Sequence, residues 1–461
     1  MPKKIKNIAA AEAAVYIKKI IEMNIFWFRR DLRLEDNAGL YHALKSDASV
    51  LPIFIFDTNI LDKLENRKDA RVTFLHDTIS QLKEQLQVFG SSLVVKYGTP
   101  ESVWEALIND YKIEAVFTNR DYEPYALNRD ETIENTLTSA NIPFHTFKDH
   151  ILFEKDEVLK DDGLPYTVFT PYSKKWRKKL ESRIEANETY FHFNSYPTET
   201  YFSNFYQIDN QEIITLAEMN FERAEIEIPS VEIKQSIIKN YGEQRDFPAI
   251  RGTSRLGIHF RFGTISIREK ARKADKLNKT YLSELIWRDF YSQILGHFPH
   301  VIGHPFRAKY DKIEWRNNEA DFQKWCDGKT GYPMVDAGMR ELNKTGFMHN
   351  RVRMVTASFL TKHLLIDWRL GEAYFAEKLL DFDLASNNGG WQWAAGCGTD
   401  AAPYFRIFNP TSQQKKFDKD FTYIRKWIPE FETSRYPEPM VEHKFARERC
   451  LATYKEGLNN L

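Results

Sequence analysis

One segment of the chain places a carboxyl group, an indole, a guanidinium and a phenol at spacings of three and four residues. Within the sequence ELIWRDFY these residues are Glu284, Trp287, Arg288 and Tyr291. Side chains three or four residues apart share one face of an α-helix, so the segment predicts a helix with one chemically mixed face. Together these groups suit a nucleic-acid base that is stacked upon, hydrogen-bonded and held by its phosphate. An amphipathic helix with its aromatic residues in a core explains the same pattern.

A second set of polar residues lies in a loop before a predicted helix. Its members are Thr253, Ser254, Arg255, Leu256 and Gly257. Two hydroxyls, a guanidinium and a glycine can hold a diphosphate through side-chain and backbone donors. An ordinary helix cap has a similar composition, so both interpretations stay open at this stage.

A third set combines carboxylates, glycines and tryptophans. Asp381 and Asp383 precede the sequence NNGGWQW at residues 387–393. A D-x-D pair raises the question of a metal, but no third hard ligand lies nearby, so we expect none. Gly389 and Gly390 allow the backbone to press against a flat ligand.

The elements that must position these residues fall into two classes. After residue 24, short β-rich runs alternate with helical stretches at 70–89 and 101–111, which predicts βαβ units and a doubly wound parallel sheet. From Tyr241 onward the pattern is helical and rich in aromatic residues. We predict α/β plus all-α classes, with an extension at 1–22, a Rossmann-like domain at 23–150, an interdomain connection at 151–240 and a helical domain at 241–461. The predicted strands are 24–28, 50–56, 92–95, 115–118 and 143–147.

The extension at 1–22 has two interpretations. It is basic and Ala-rich, which predicts a short amphipathic helix; alternatively, Met23 is the usual first residue and the extension reflects an upstream start codon. Neither interpretation assigns it a function.

Composition limits the class of protein. Lys plus Arg and Asp plus Glu both total 65, so a surface for nucleic acid must come from local segregation of charge. Cys326, Cys397 and Cys450 show no metal or disulfide spacing, which fits a reducing cytoplasm. No run approaches the roughly 18 apolar residues that span a bilayer, so we expect no membrane segment.

The first strand ends in the sequence RRDLR at residues 29–33, where a doubly wound sheet places its ligand crevice. No G-x-G-x-x-G follows, so the backbone there cannot closely approach a pyrophosphate. A nucleotide contact and a salt-bridged strand end both explain the arginines.

Six motifs carry a family resemblance, in the order FWFRRDLRLEDN, TSRLG, ELIWRDFY, GYPMVDAGMREL, MHNRVRM and DFDLASNNGGWQW. The chain resembles the photolyase/cryptochrome family, closest to class I bacterial photolyases that act on cyclobutane pyrimidine dimers (deoxyribodipyrimidines). The resemblance covers essentially everything from Asn24 to about residue 425. It implies a Rossmann-like domain followed by a helical domain that binds FAD in a folded, U-shaped conformation.

The resemblance assigns a set of residues to FAD. Asn387 matches the residue facing the flavin N5, where a neutral amide can donate or accept and so favours the reduced forms. One departure concerns Gly257, where the family usually has a serine, so that one hydroxyl donor is missing; its backbone N–H can partly substitute. The implied FAD residues are Tyr241, Thr253, Ser254, Arg255, Leu256, Gly257, Arg353, Asp381, Asp383 and Asn387.

The resemblance also assigns residues to damaged DNA and to electron transfer. Glu284 matches the carboxyl that hydrogen-bonds the damaged bases, and Trp287 and Trp393 match indoles that pack on the dimer. Taken singly, Trp315, Trp368 and Trp391 are typical of a core; the resemblance makes them a photoreduction relay. The implied substrate and DNA residues are Arg245, Glu284, Trp287, Arg288, Tyr291, Asn350, Met354, Trp393 and Gln413.

The implied activity is that of a blue-light-driven carbon–carbon lyase for DNA repair. It docks on DNA through basic residues, flips the dimer into a pocket, and splits it with an electron from excited reduced FAD that then returns. Glu284 stabilises the transient negative charge. A second, antenna chromophore is open between a folate, a deazaflavin and none, with Glu123 in the corresponding region. We expect a monomer.

Two rivals share the resemblance. Repair of the six-four photoproduct needs two pocket histidines one helical turn apart, whereas here those positions are Asn350 and Met354. A cryptochrome, a blue-light receptor without repair activity, is the alternative. The retained dimer-pocket residues favour repair.

Overall fold

The structure is a computed structural model that describes residues 22–185 and 193–459. The helix predicted within residues 1–22 lies outside the described residues, apart from Glu22, which begins the first strand. The chain forms two compact units. The first contains the described residues within Met1–Leu152, Thr189–Ile228 and Phe262–Lys270, and the second those within Phe153–Glu188, Pro229–Arg261 and Ala271–Leu461.

The first unit is built on a five-stranded sheet in the order β3-β2-β1-β4-β5, with every neighbouring pair parallel. Its strands are β1 (Glu22–Phe28), β2 (Val50–Asp57), β3 (Val94–Gly98), β4 (Lys112–Asn119) and β5 (Phe144–Phe147). The intervening helices are α1 (Ala38–Leu44), α2 (Thr58–Leu61), α3 (Ala70–Gln87), α4 (Pro100–Asp110) and α5 (Pro124–Ser139). The predicted doubly wound α/β class is confirmed.

Both faces of this sheet are covered, which explains its uninterrupted apolar strands. Successive side chains of a strand point to opposite faces. In β1, Ile25 and Trp27 join one buried cluster, whereas Phe26 and Phe28 join the other. All four side chains are at most 2% exposed.

The arginines that follow β1 are held by carboxylates. Arg29 pairs with Asp130, and Arg30 Nη1 lies 2.9 Å from carboxylate oxygens of both Asp121 and Glu123. This network favours the salt-bridged interpretation of the strand end. It also gives Glu123, in the predicted antenna region, a structural partner within the same unit.

The second unit is helical, as predicted. Its core cluster is rich in aromatic residues and includes Trp325, Phe359, Trp368 and Trp391, each at most 2% exposed. One helical stretch of this unit is divided: the α-helix Asn350–Ser358 is continued by a π-helical turn, Phe359–His363.

The remaining helices all follow the last strand of the sheet along the chain. They are α6 (Phe169–Glu185), α7 (Gln235–Lys239), α8 (Tyr241–Gln244), α9 (Gly257–Phe262), α10 (Ile267–Leu277), α11 (Lys279–His297), α12 (Glu319–Cys326), α13 (Pro333–Thr345), α14 (Asn350–Ser358), α15 (Trp368–Lys378), α16 (Leu384–Ala395), α17 (Pro410–Phe417), α18 (Thr422–Trp427) and α19 (His443–Asn459). Short 3-10 turns occur at Thr198–Asn204, Pro299–Val301 and Ala308–Lys312.

Two kinds of feature are absent from the described part of the chain. Over 22–185 and 193–459, no helix has the length and apolar character needed to cross a membrane. Within the same ranges, no group of three or more His, Cys, Asp or Glu residues is arranged to hold a metal ion.

Candidate active site

Helix α11 carries the mixed face that the sequence predicts. Asn278 caps the helix, since its side-chain oxygen accepts hydrogen bonds from the backbone N–H groups of Thr280 and Tyr281 at 2.9 and 3.1 Å. The opposite face, including Ile286 and Phe290, is fully buried. The mixed face is half-buried in all its members, which are Glu284, Trp287, Arg288 and Tyr291. The helix is thus anchored by its apolar face and keeps the polar one accessible.

Glu284 forms an ion pair with Arg245, the residue that caps the C-terminal end of α8. Burial raises the pKa of the Glu284 carboxyl, and the charge of Arg245 and its hydrogen bond oppose that rise. The Arg245 guanidinium also lies 5.4 Å from the centre of the Tyr241 ring. Two residues predicted for DNA and one predicted for FAD therefore form one contiguous group.

Trp287 and Tyr291 differ in what surrounds them. The Trp287 ring stacks face to face on Phe169, with ring centres 3.7 Å apart and planes at 5°. Tyr291 packs on α16, because a Cβ at Gly389 would collide with its ring. A Cβ at Gly390 meets nothing within 4 Å. Of the two glycines, Gly389 therefore serves helix packing and Gly390 faces open space.

The loop before α9 is arranged by contacts on both sides. The Tyr281 hydroxyl donates a hydrogen bond to Ser254 Oγ at 3.1 Å. Arg255 adopts the left-handed conformation (φ +55°) and its guanidinium lies 4.3 Å from the Phe347 ring centre. Leu256 is buried, while Thr253 is half-buried. The buried Leu256 side chain anchors the loop, and the hydroxyls and the guanidinium lie on its less buried side.

Gly257 lies directly against Asp381. A Cβ built on Gly257 would be 2.5 Å from both Cβ and Oδ2 of Asp381. The same carboxylate accepts hydrogen bonds from Arg353 Nη2, at 3.0 and 2.9 Å, and Arg353 Nε donates to the Met348 carbonyl at 2.7 Å. The glycine that departs from the family pattern is thus what allows this carboxylate to approach the loop.

Asp383 and Asn387 occupy the first turn of α16. Asp383 is the N-cap and accepts a hydrogen bond from the Ser386 N–H at 3.1 Å. The Asn387 amide nitrogen donates to the carbonyl and the carboxylate of Glu372, at 3.1 and 3.3 Å. This assignment leaves Asn387 Oδ1 as the amide's acceptor. Glu372, which the sequence did not single out, therefore orients the amide.

The three tryptophans predicted as a relay differ in exposure. Trp391 and Trp368 are each 2% exposed, whereas Trp315 is half-buried. Gly371 makes room for Trp391, since a Cβ there would collide with its ring. Trp325, absent from the predicted site, also lies against Trp391 with ring centres 6.1 Å apart. Its sequence context resembles that of any core tryptophan, so no sequence signal distinguishes it from a purely structural residue.

Helix α14 begins with a histidine cap. His349 Nδ1 accepts a hydrogen bond from the Arg351 N–H at 3.2 Å, and burial lowers the pKa of His349 to about 4. Its Nε2 atom is buried and has no hydrogen-bond partner among the described residues. Asn350 is exposed and Met354 is half-buried, one turn apart as predicted.

The last two predicted residues lie near the end of α16 and beyond it. Trp393 lines a small cavity together with Lys362, Arg406 and Phe408. Gln413, in α17, has a buried side-chain oxygen without a hydrogen-bond partner in the part of the chain that the structure describes.

Comparison with known proteins identifies the family. Residues 24–189 match the sequence model for DNA photolyase, and residues 281–435 match that for the FAD binding domain of DNA photolyase. A deoxyribodipyrimidine photo-lyase of Alkalihalophilus pseudofirmus is 38% identical, and the match covers 93% of this chain and 97% of that protein. This chain belongs to the DNA photolyase family.

Two solved structures agree in fold. A class III photolyase of Agrobacterium tumefaciens has a TM-score of 0.80 at 32% identity, covering 95% of this chain and 98% of that one. An archaeal photolyase of Sulfolobus tokodaii, crystallised with two FAD molecules, has a TM-score of 0.78 at 34% identity, covering 95% and 100%.

The residues present fit FAD. A dinucleotide needs donors for its phosphates and space for a flat ring system. The chain supplies the hydroxyls and guanidinium of the loop before α9, the open side of Gly390, and the buried Nε2 of His349, which has no protein partner within 22–185 and 193–459. A buried polar atom without a hydrogen-bond partner destabilises the fold unless a ligand or a water molecule supplies that hydrogen bond.

Proposed function

We propose that the protein is a light-dependent DNA repair enzyme that reverses cyclobutane pyrimidine dimers. The observation that supports this most strongly is the half-buried face of α11, where a carboxyl and an indole lie side by side on a helix anchored by its opposite face. The curated relatives that match across the chain are deoxyribodipyrimidine photo-lyases, which favours repair over a photoreceptor role.

FAD, when bound, supplies the light-driven electron donor. The chain's own residues hold and orient it. Asn387, with its amide nitrogen engaged by Glu372, offers Oδ1 as an acceptor for a ring N–H. Arg353 neutralises Asp381 beside the loop that offers hydroxyls to the phosphates. We assign the FAD-binding role to the residues predicted from the sequence.

Glu284 and Arg245 act on the damaged bases in this proposal. Arg245 keeps the half-buried carboxyl of Glu284 paired in the free protein. When DNA arrives, a phosphate is a competing partner for the guanidinium. Loss of Arg245 from the pair removes the charge and hydrogen bond that oppose the rise in the Glu284 pKa, which favours the protonated carboxyl as a hydrogen-bond donor to a base carbonyl. The indoles of Trp287 and Trp393 supply the apolar walls of the pocket.

Three finer points belong to the same proposal. The protein binds dimer-containing DNA as a monomer, and it works in the cytoplasm. The second, antenna site is open between a folate, a deazaflavin and no chromophore. Sedimentation of the purified protein tests the first point, and its absorption spectrum tests the chromophore.

The decisive experiment illuminates dimer-containing duplex with the purified, flavin-loaded and reduced protein. We expect blue light to convert the dimers back to separate pyrimidines, with no conversion in the dark. The Glu284→Gln variant should retain flavin and repair more slowly, because the amide still donates a hydrogen bond to a base carbonyl but cannot transfer a proton. Dimers that persist under illumination with reduced flavin bound would refute the proposal.

A further inference from the structure

Phe169 begins α6, in the segment that the sequence predicts as a connection, and it lies against a wall of the candidate pocket. Its ring stacks on Trp287 with centres 3.7 Å apart and planes at 5°. A nearly parallel stack at this distance holds an indole in one plane, because any tilt of the indole costs ring contact. The stack therefore fixes the orientation of Trp287.

Phe169 and Trp287 share one contact with the core. Phe169 packs edge-on against Phe290, with ring centres 5.8 Å apart at 78°, and Trp287 does the same at 5.5 Å and 82°. Phe290 is fully buried and contacts the buried ring of Tyr172 at 5.2 Å. The edge of the stack is thus continuous with the core through Phe290, while Phe169 itself is half-buried.

A turn after α16 holds Phe169 in place. The Phe169 N–H donates a hydrogen bond to Asp400 Oδ2 at 3.3 Å, and the Thr399 hydroxyl donates to the Thr167 carbonyl. Asp400 adopts the left-handed conformation (φ +48°), which aspartate and asparagine tolerate better than most residues. We call this pair of contacts the 399–400 clamp.

The clamp is tied to the helix that carries the second indole. The N–H groups of Cys397 and Gly398 both donate to the Gln392 carbonyl at 3.1 Å, which joins the turn to the end of α16. Trp393 lies in that last turn of α16. A continuous set of contacts therefore runs from Trp393 through the clamp and Phe169 to Trp287.

We propose that Phe169 and the 399–400 clamp are positioning residues that set the separation of the Trp287 and Trp393 indoles, and thereby the preference for two covalently joined pyrimidines over a single flipped base. This inference rests on the proposed function and deepens it. Two fused rings fill a gap between two walls of fixed separation, whereas one base leaves part of that gap empty. Rigid walls favour the ligand that matches them.

The test measures the affinity of the flavin-loaded protein for duplex DNA with and without one thymine dimer. Phe169→Leu removes the stacked ring at similar volume, and Asp400→Ala removes the acceptor of the clamp. We expect each to reduce the ratio of dimer to undamaged affinity by about 2- to 10-fold, the size of one aromatic stacking contact. Undamaged-DNA affinity and flavin content should stay unchanged.

Conservative variants separate positioning from folding. Phe169→Tyr keeps the ring and Asp400→Asn keeps an acceptor. Both variants should therefore keep the wild-type ratio of dimer to undamaged affinity. Phe445→Leu makes the same change at a ring that is 56% exposed, and it should have no effect. The effect of Phe169→Leu should also vanish in a Trp287→Leu background, because both changes remove the same contact.

The outcomes also separate this inference from the proposed function. If Trp287→Leu lowers the ratio while Phe169→Leu and Asp400→Ala do not, the positioning role is wrong and repair stands. If Phe169→Leu raises the ratio, the ring occupies the place of the dimer, and the inference is again wrong. A wild-type protein that does not discriminate dimer DNA overturns both.

Discussion

At the scale of single residues, the close approach of Gly257 and Asp381 illustrates how one departure from a family pattern is accommodated. The family usually has a serine at this position, which suggests a lost phosphate donor. The structure gives the glycine a different role, because it allows the Asp381 carboxylate to lie beside the loop and be held there by Arg353. A missing side chain is thus coupled to the position of another residue.

This coupling predicts that Gly257→Ser is harmful in this chain. The new Cβ would lie 2.5 Å from Asp381, so that carboxylate must move and its bonds to Arg353 weaken. Overpacking of this kind costs about 1–3 kcal/mol, so the free energy of unfolding measured in urea should fall by that amount. Flavin retention on gel filtration should fall with it.

Gly390→Ser is the matched control for stability. It makes the same change within α16, where an added Cβ meets nothing within 4 Å. Its unfolding free energy should equal or exceed that of the wild type, since glycine is a poor helix former. If Gly257→Ser were as stable as the wild type and kept its flavin, the packing role of Gly257 would be wrong.

At the scale of elements, the histidine cap of α14 makes one helix sensitive to pH. Burial lowers the pKa of His349 to about 4, below the ordinary value of 6.5. Between these pH values the unfolded chain binds a proton that the folded protein does not, so stability falls as the pH falls through this window and is level above it. Protonation of Nδ1 would also remove the acceptor for the Arg351 N–H.

We therefore predict that acidification from pH 7 to 5 costs about 2 kcal/mol through this residue. His349→Asn keeps a capping oxygen but does not titrate, so its unfolding free energy should vary less over this range by about that amount. Urea unfolding of both proteins at a series of pH values measures the difference. Identical slopes for the two would exclude the cap as the source.

At the scale of the whole molecule, the three tryptophans predicted as a relay include two buried side chains and one that is half-buried. Trp391 and Trp368 are 2% exposed and Trp315 is half-buried. If the proposed relay is correct, Trp315→Phe should slow photoreduction of the flavin at least several-fold, because phenylalanine is much harder to oxidise than tryptophan. Chemically reduced protein should keep full repair activity.

The measurement is the loss of oxidised-flavin absorbance under blue light with an external reductant. Trp427→Phe, a change of another partly buried tryptophan packed on the same core cluster, is the control and should leave the rate unchanged. An unchanged rate in Trp315→Phe would remove that residue from the relay.

The local elements and most of the candidate residues could be predicted from the order of the amino acids alone. A strand that is buried on both faces of a sheet needs apolar residues at nearly every position. Such apolar runs are recognisable at 24–28 and 50–56, and they lie within β1 and β2. The spacing of Glu284 and Trp287 predicted a shared helix face, and α11 presents it. Such features depend on residues near one another in the chain, so the spacing of residue types in the sequence predicts them.

Which distant residues meet could be learned only from the folded chain. Phe169 stacks on Trp287 across a long stretch of sequence, Glu372 orients Asn387, and Asp381 fills the space that Gly257 leaves. None of these contacts leaves a local period, because each depends on how whole elements pack. The chemistry of the predicted residues is local, whereas the precision of their placement comes from the neighbours that packing brings to them.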